Sequence, residues 1–188
     1  AWTDIVQLAL VVVGLAAALP FVLAAAGGLT HAWTMYAAAR PEGVGLVAPL
    51  RAGHGAWTAP AVVGWWDTSL MLVFGGIPWN CYFQRVLSCR TPRDAARQSV
   101  LAGVLTILLT VPPLLMGVAA FAVPWPAETT ARLQATPAEA MPLLFARAVP
   151  AGVGLLGLAA IVGAVTSSFS SSILSAGAMV SWNVLKRL

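Results

Sequence analysis

The sequence predicts an all-α membrane protein with four transmembrane helices and one short extracellular helix, and three observations predict it. Hydrophobic residues make up 60% of the 188 residues and charged residues only 9%, whereas a soluble domain carries about 25% charge. The mean hydropathy is +0.87. The apolar residues form four segments, each as long as the roughly 20 residues that a spanning helix needs. A soluble domain with a single core is therefore a poor interpretation.

The four predicted passes follow one another along the chain. Proline lies inside the first, second and third passes, where it is tolerated if neighbouring helices satisfy the freed backbone groups. Both ends of the chain lie close to a pass, and we expect them to be cuts rather than natural termini. The passes run at about Ile5–Leu29, Ala61–Leu87, Ser99–Val123 and Val149–Val184.

The charges of the connecting segments predict the orientation. Residues 85–98 hold four arginines against a single acid, Asp94, and short loops rich in arginine face the cytoplasm. Residues 30–60 and 124–148 would then lie outside. The net charge of +4 is small and its basic residues cluster at segment ends, which argues against nucleic-acid binding.

The second outer segment also predicts the short helix, over Ala138–Ala148. Met141, Leu144 and Phe145 share one side at helical spacing. We expect this helix to lie on the outer face of the membrane. His31 and His54 fall in the first outer segment and are interpreted as solvated.

The second pass is interrupted by the sequence Gly75-Gly76-Ile77-Pro78. Glycine costs about 1 kcal/mol and proline about 3 kcal/mol in a helix interior. Such a break in a membrane segment points to a substrate site in transporters. Trp79 follows the break, and tryptophan is the best cation–π partner among side chains. The pattern predicts a transporter site for a cation, with a packing role for Trp79 as the alternative.

A run of hydroxyl side chains, Thr166-Ser-Ser-Phe-Ser-Ser-Ser172, lies inside the fourth pass. Sodium is a hard cation that prefers oxygen ligands. Ser167 and Ser168, with the carbonyl of Ala164 one turn earlier, could supply three. The alternative is that the hydroxyls bond to their own helix or join neighbouring helices.

No pattern typical of an enzyme is present. The chain has no nucleophile elbow, no His-Glu-x-x-His and no phosphate loop. Cys81 and Cys89 have no histidine or second cysteine pair at zinc-ligand spacing, and are interpreted as buried or interfacial side chains. We expect no enzymatic activity and no cofactor.

Three stretches resemble the choline transporters of the sodium/solute symporter family. They are Gly75-Gly-Ile-Pro-Trp-Asn-Cys-Tyr-Phe-Gln-Arg-Val-Leu-Ser88, the serines Ser167-Ser168 with Ser171-Ser-Ile-Leu-Ser-Ala176, and Trp2-Thr-Asp-Ile-Val-Gln7. Proline, sugar and iodide symporters of the family share the general pattern. The first stretch is its more choline-specific part.

The resemblance implies a LeuT-type inverted-repeat fold, of which this chain would cover passes six to nine of about thirteen. The missing passes, membrane lipid, Na⁺ and choline would be its partners. The whole protein would import choline with Na⁺, with chloride dependence, for acetylcholine synthesis. It would lie in the plasma membrane, at presynaptic terminals and in vesicle membranes.

The resemblance also implies roles for single residues. Trp79 would be one wall of an aromatic cage around the quaternary ammonium, and Gly75, Gly76 and Pro78 would form the gating break. The family's sodium site would be matched by Ala164, Ser167 and Ser168.

The chain departs from the family at Phe169-Ser170, where choline transporters have Ala-Asp. The change removes a charge close to the proposed sodium ligands. Ser170 and Ser171 would form any second sodium site there. Two alternatives stay open: a symporter for proline, a sugar or an anion, and a transport-dead membrane partner or pseudogene product, which Ser170 favours.

Overall fold

The computed structural model describes residues 2–41, 48–53, 57–76 and 79–187, and all regular structure in these ranges is helical. This confirms the prediction of an all-α protein. The main helices are α1 (Trp2–Ala25), α2 (Leu29–Ala39), α3 (Ala59–Gly76), α4 (Asn80–Leu87), α5 (Pro92–Ala119), α6 (Ala127–Ala135), α7 (Ala140–Arg147) and α8 (Ala151–Asn183).

Four stretches of the described chain are long and apolar enough to cross a membrane, which confirms the predicted number. They are Trp2–Ala25, Ala59–Leu87, Pro92–Ala119 and Ala151–Asn183. The second of them contains both α3 and α4. The third begins before the predicted Ser99, because Thr91 caps α5: the Asp94 amide donates to Thr91 Oγ1 at 3.1 Å, and that hydroxyl donates to Asp94 Oδ2 at 2.7 Å.

The first pass ends at a glycine turn rather than at the predicted Leu29. Gly27 and Gly28 have φ of 75° and 97°, a region that side chains disfavour. The Gly28 amide donates to Leu23 O at 2.8 Å and the Gly27 amide to Ala24 O at 3.0 Å, which is a Schellman motif. The chain then re-enters a helix, α2, in a segment predicted to be an outer loop.

His31 lies in the first turn of α2 and has a defined partner. Its Nδ1 lies 2.8 Å from Ala26 O, within hydrogen-bond distance. The side chain is also exposed, as expected. His54 lies outside the described residues.

The chain divides into two compact units, of which the first takes in residues 1–44 and 107–165. Its core combines side chains of α1, α2, the end of α5, and α7. The largest fully buried side chains are Phe145, Met116, Leu144 and Val22. Leu144 and Phe145 belong to the predicted apolar side of the short helix, and α7 buries both of them within the protein.

Glycines on α1 and α8 allow close packing in this unit. A Cβ on Gly14 would lie 2.7 Å from Leu156 O and 2.8 Å from the Ala160 Cβ. A Cβ on Gly157 would lie 2.6 Å from the Phe145 ring, and one on Gly154 would overlap the Phe145 carbonyl. α8 therefore contacts α1 and α7 along faces that have no room for larger side chains.

Polar contacts join the helices that precede α8. Arg147 Nη1 donates to Thr129 Oγ1 at 2.9 Å, which ties α7 to α6. Arg132 pairs with Glu139, and this charge-assisted hydrogen bond raises the pKa of Arg132.

The second unit takes in residues 45–106 and 166–188. It buries little: among its described residues only Pro49, Cys81 and Ser175 are buried. The Trp66 indole nitrogen donates to Pro49 O at 2.7 Å, and the rings of Trp65 and Trp66 meet edge to face at 5.0 Å. The described part of the second unit therefore has almost no buried apolar core.

Candidate functional site: the start of α4 and the serine face of α8

Trp79 occupies the N-cap of α4. α3 ends at Gly76 and α4 begins at Asn80; Ile77 and Pro78 lie outside the described residues. The Trp79 carbonyl accepts hydrogen bonds from the Tyr82 and Phe83 amides at 3.0 and 3.1 Å, and its own amide approaches Gly76 O at 3.4 Å. The backbone of Trp79 therefore starts the helix, and its side chain lies at the interruption.

The Trp79 side chain is open to the surroundings. It is 56% exposed among the described residues. A Cβ added to Gly75 or Gly76 would meet nothing within 4 Å. The described chain therefore leaves much of the Trp79 side chain uncovered.

The first turn of α4 is fastened to α8 by hydrogen bonds. Asn80 Nδ2 donates to Ser175 Oγ at 2.6 Å and approaches Ser175 O at 3.4 Å. The Cys81 thiol donates to Ser171 O at 3.4 Å. Cys81 and Ser175 are both buried, so this junction is the interior of the second unit.

The serine run of α8 separates into two faces. Ser167, Ser171 and Ser175 are spaced four residues apart, so they lie on one side of the helix. Ser167 and Ser171 are half-buried and Ser175 is buried, whereas Ser168 and Ser170 are exposed. We call Ser167, Ser171 and Ser175 the serine face. Its last two members meet α4, and Ser167 continues it by one turn.

The two hydroxyls proposed as sodium ligands are unused. In the described part of the chain, the side chains of Ser167 and Ser168 make no hydrogen bond, unlike Thr34 and Thr106, which bond to the carbonyl one turn earlier. The alternative in which these two hydroxyls bond to their own helix is therefore not the arrangement found. α8 is continuous from Ala164 through Ser168.

Ser171 has a cation as a neighbour. Arg85 Nη2 donates to Ser171 Oγ at 3.4 Å, which places a guanidinium beside the second proposed sodium position. Like charges at this range repel, so the contact disfavours a sodium ion at Ser171. Among the described residues, no group of three or more His, Cys, Asp or Glu side chains could hold a metal ion.

Further contacts join α4 to α5. The Tyr82 hydroxyl donates to Ser99 Oγ at 2.7 Å, and just after the end of α4 the Cys89 thiol donates to Gln98 Oε1 at 2.9 Å. Both cysteines are free thiols. α4 thus has separate polar contacts to two neighbouring helices.

Sequence reasoning identified Trp79 and the serine run but missed Asn80, Ser175 and Arg85. The fourfold spacing of Ser171 and Ser175 was visible, and it places both on one side of a helix. Nothing in the sequence indicated that α4 would be the partner of that side. Asn80 stood beside Trp79 without any feature that distinguished it.

The first unit contains a separate cavity of about 620 Å³. None of the sequence-predicted site residues lines it. Its walls include the aromatic side chains of Phe121 and Trp125 and the cation Arg40. The Trp125 indole is held in place by a 2.8 Å hydrogen bond to Ala120 O.

The model of the Sodium:solute symporter family matches residues 1–188. The chain belongs to the sodium/solute symporter family. This is a family of transporters and not of enzymes, and the helices described above make the chain a membrane protein of that family.

Relatives within the sodium/solute symporter family are named for choline. A high-affinity choline transporter 1 of Caenorhabditis elegans is 41% identical over 132 residues, covering 65% of this chain and 23% of the relative. That of Drosophila melanogaster is 36% identical, covering 99% and 28%. The high affinity choline transporter 1 of Homo sapiens is 33% identical, covering 98% and 31%.

This chain therefore spans between 23% and 31% of the length of these three relatives. No solved structure matches the chain. The LeuT-type inverted repeat and the extracellular position of α7 stay predictions.

Proposed function

We propose that this chain is the part of a Na⁺-dependent choline symporter that contributes to substrate and sodium binding. The whole protein would also depend on chloride and would import choline for acetylcholine synthesis. The observation that carries the proposal is Trp79, exposed at the helix interruption within the stretch that resembles choline transporters. The names of the relatives support the same substrate.

Trp79 would bind the quaternary ammonium of choline. A quaternary nitrogen has no N–H to donate, so recognition of this group depends on the ring face and on exclusion of water. The N-cap position fixes the Trp79 backbone while leaving the side chain accessible. The missing passes would supply the remaining walls of the cage, and Gly75, Gly76 and Pro78 would form the gating break in the helix.

Ala164, Ser167 and Ser168 would bind the coupling sodium ion. Two hydroxyls without a hydrogen-bond partner in the described chain support this assignment, since a hard cation would satisfy them. The missing passes would supply the opposing ligands. A second site at Ser170 and Ser171 has less support, because Arg85 already places a positive charge beside Ser171.

The protein would lie in the plasma membrane as a multi-pass transporter, including presynaptic terminals and vesicle membranes. Lipid and the missing passes of the same protein would surround the exposed apolar side chains of α3 and α5. The arginine-rich segment 85–98 would face the cytoplasm and α7 the outside.

Uptake of tritiated choline by cells expressing the complete reading frame tests the proposal. We expect saturable choline uptake that disappears when external Na⁺ is replaced. An excess of proline, glucose or iodide should not inhibit this uptake. Inhibition by one of these three would identify a symporter for that substrate instead.

A second outcome would favour a different function. Ser170, which replaces the acid found in choline transporters, is the observation that favours a transport-dead membrane partner. A protein that reaches the cell surface but accumulates neither choline nor any of these substrates would support that alternative and overturn the symporter proposal.

A further inference from the structure

The hydrogen bond between Asn80 and Ser175 lies between the two proposed binding elements. Asn80 follows Trp79 directly in the chain and opens α4. Ser175 lies on the serine face of α8, two turns after Ser167. At 2.6 Å, the bond from Asn80 Nδ2 to Ser175 Oγ is the shortest side-chain hydrogen bond between the described residues of α4 and α8.

We propose that Asn80 and Ser175 are a positioning pair that couples choline affinity to sodium. The pair would hold the start of α4, and with it Trp79, against the helix that carries the sodium hydroxyls. The inference rests on the proposed function. It adds the residues that would transmit the effect of sodium binding on α8 to the choline site at Trp79.

The Asn80–Ser175 pair lies where it can hold the start of α4 in place. The Trp79 carbonyl accepts the amides of the first turn of α4, so any rotation of that turn moves the Trp79 backbone. Asn80 anchors this turn from outside by two contacts to Ser175, beside the contact of the Cys81 thiol with Ser171 O. A change in the position of α8 at Ser175 is therefore transmitted to the base of the Trp79 side chain.

Little apolar surface is buried around the contact between Asn80 and Ser175. Cys81 and Ser175 are the only buried described residues on α4 and on the second unit's part of α8. A junction with so little apolar burial takes its geometry from its hydrogen bonds. Hydrogen-bonded partners can exchange for water or for each other, whereas close-packed cores resist displacement. The junction can thus respond to a neighbouring ion.

The serine face links the proposed sodium site to Ser175 along one side of α8. Ser167 lies on the same side of α8 as Ser171 and Ser175, and its hydroxyl is unused within the described chain. A sodium ion that draws on Ser167 would constrain the turn of α8 that continues to Ser171 and Ser175. Coupling between two ligands is reciprocal, so choline at Trp79 would in turn strengthen sodium binding.

The test compares Ser175→Ala and Asn80→Leu in the complete reading frame. The apparent KM for choline is measured at saturating and at low Na⁺. We expect each variant to raise the KM at saturating Na⁺ by about 3- to 10-fold, the effect of one lost hydrogen bond. We also expect the ratio of the two KM values to fall toward one, while surface expression stays normal.

The double variant gives an independent result. If the two side chains act through their mutual hydrogen bond, Asn80→Leu with Ser175→Ala should raise the KM no more than the worse single variant. Strictly additive effects would mean that the residues act separately, and would overturn the pair.

Tyr82→Phe is the matched control. It removes one hydroxyl of the same helix, but its partner is Ser99 of α5 at 2.7 Å. We expect an unchanged KM and an unchanged sodium dependence. The same loss of sodium dependence in Tyr82→Phe would show a general loosening of α4 and overturn the specific role of Asn80.

The outcomes separate this inference from the proposed function. If the wild-type protein shows no Na⁺-dependent choline uptake, the proposed function fails. If the wild-type protein transports and both variants keep its KM at both Na⁺ concentrations, only the coupling fails. Should Asn80→Leu not reach the surface, Ser175→Ala decides alone, because it removes an oxygen and adds no bulk.

Discussion

Trp79 and Asn80 are neighbours in the chain with opposite surroundings. The Trp79 side chain is exposed, while Asn80 is half-buried and bonded to Ser175. The hydrogen bond of Asn80 would limit motion of the backbone at Trp79 while leaving the Trp79 ring uncovered. The proposed substrate role of Trp79 gives the first residue-scale prediction.

Trp79→Ala should raise the apparent choline KM at least about 30-fold, because a desolvated cation–π contact contributes about 2 kcal/mol or more. Trp79→Phe keeps an aromatic face and should raise it less. Choline uptake over a range of concentrations, corrected for surface expression, measures both. A normal KM in the Ala variant would remove Trp79 from the cage.

Ser167→Ala and Ser168→Ala should each raise the Na⁺ concentration for half-maximal uptake, by about ten-fold or more, since each loses an oxygen that would contact a charge. Surface expression should stay normal because no bulk is added. Ser172→Ala, on the exposed part of the same run, is the control. Normal sodium curves in both test variants would leave these hydroxyls as packing groups only.

At this scale the sequence identified side chains better than contacts. Trp79 was recognisable because it follows a helix-breaking stretch, and the serines because hydroxyls are unusual inside an apolar pass. Asn80 and Ser175 were missed because their role depends on two segments far apart in the chain meeting in space. No local pattern encodes that meeting.

Among the elements, α8 makes contacts with α1, α4 and α7. Gly14 of α1 and Phe145 of α7 both contact its first half at distances that exclude a larger residue. Its second half instead presents the serine face to α4. One helix therefore combines a tightly packed part with a part held by hydrogen bonds, and the proposed sodium ligands Ala164, Ser167 and Ser168 lie between the two parts.

Gly154→Ala should destabilise the protein, because its Cβ would overlap the Phe145 carbonyl, which is backbone and cannot rotate away. Overpacking of this kind costs about 1–3 kcal/mol. Gly152→Ala is the matched control, since a Cβ there meets nothing within 4 Å, and alanine favours helix. Thermal unfolding in detergent should show a lower midpoint for Gly154→Ala only. Equal midpoints would contradict the packing described for α7 and α8.

The helices themselves were largely predictable, because composition and apolar length decide which segments span a membrane. Their ends were less so. α2 was missed because a Schellman turn at Gly27 and Gly28 restarts the helix within a segment that resembles a loop. α5 begins early because Thr91 and Asp94 cap it, a signal that was present in the sequence but lies before the apolar run.

For the whole molecule, the arginine-rich segment predicts the orientation. A single cysteine in place of Arg93, with Cys81 and Cys89 removed, should resist membrane-impermeant thiol reagents in intact cells. The same cysteine should react after permeabilisation, which controls for its accessibility. Labelling in intact cells would invert the proposed topology and place α7 on the cytoplasmic side.

The relatives are three to four times longer than this chain. Transport by the family therefore involves segments beyond the one described. The proposed cage and the proposed sodium site would both need groups from elsewhere in the protein. The central claim is therefore that the complete protein uses a sodium gradient to accumulate choline.

The most direct measurement is choline accumulation in proteoliposomes that contain the purified complete protein and an imposed inward Na⁺ gradient. The account predicts that tritiated choline rises above its external concentration and falls back when a sodium ionophore collapses the gradient. Trp79→Ala in the same vesicles should accumulate far less at low choline. Equilibration of choline without concentration, or no response to the sodium gradient, would contradict the account.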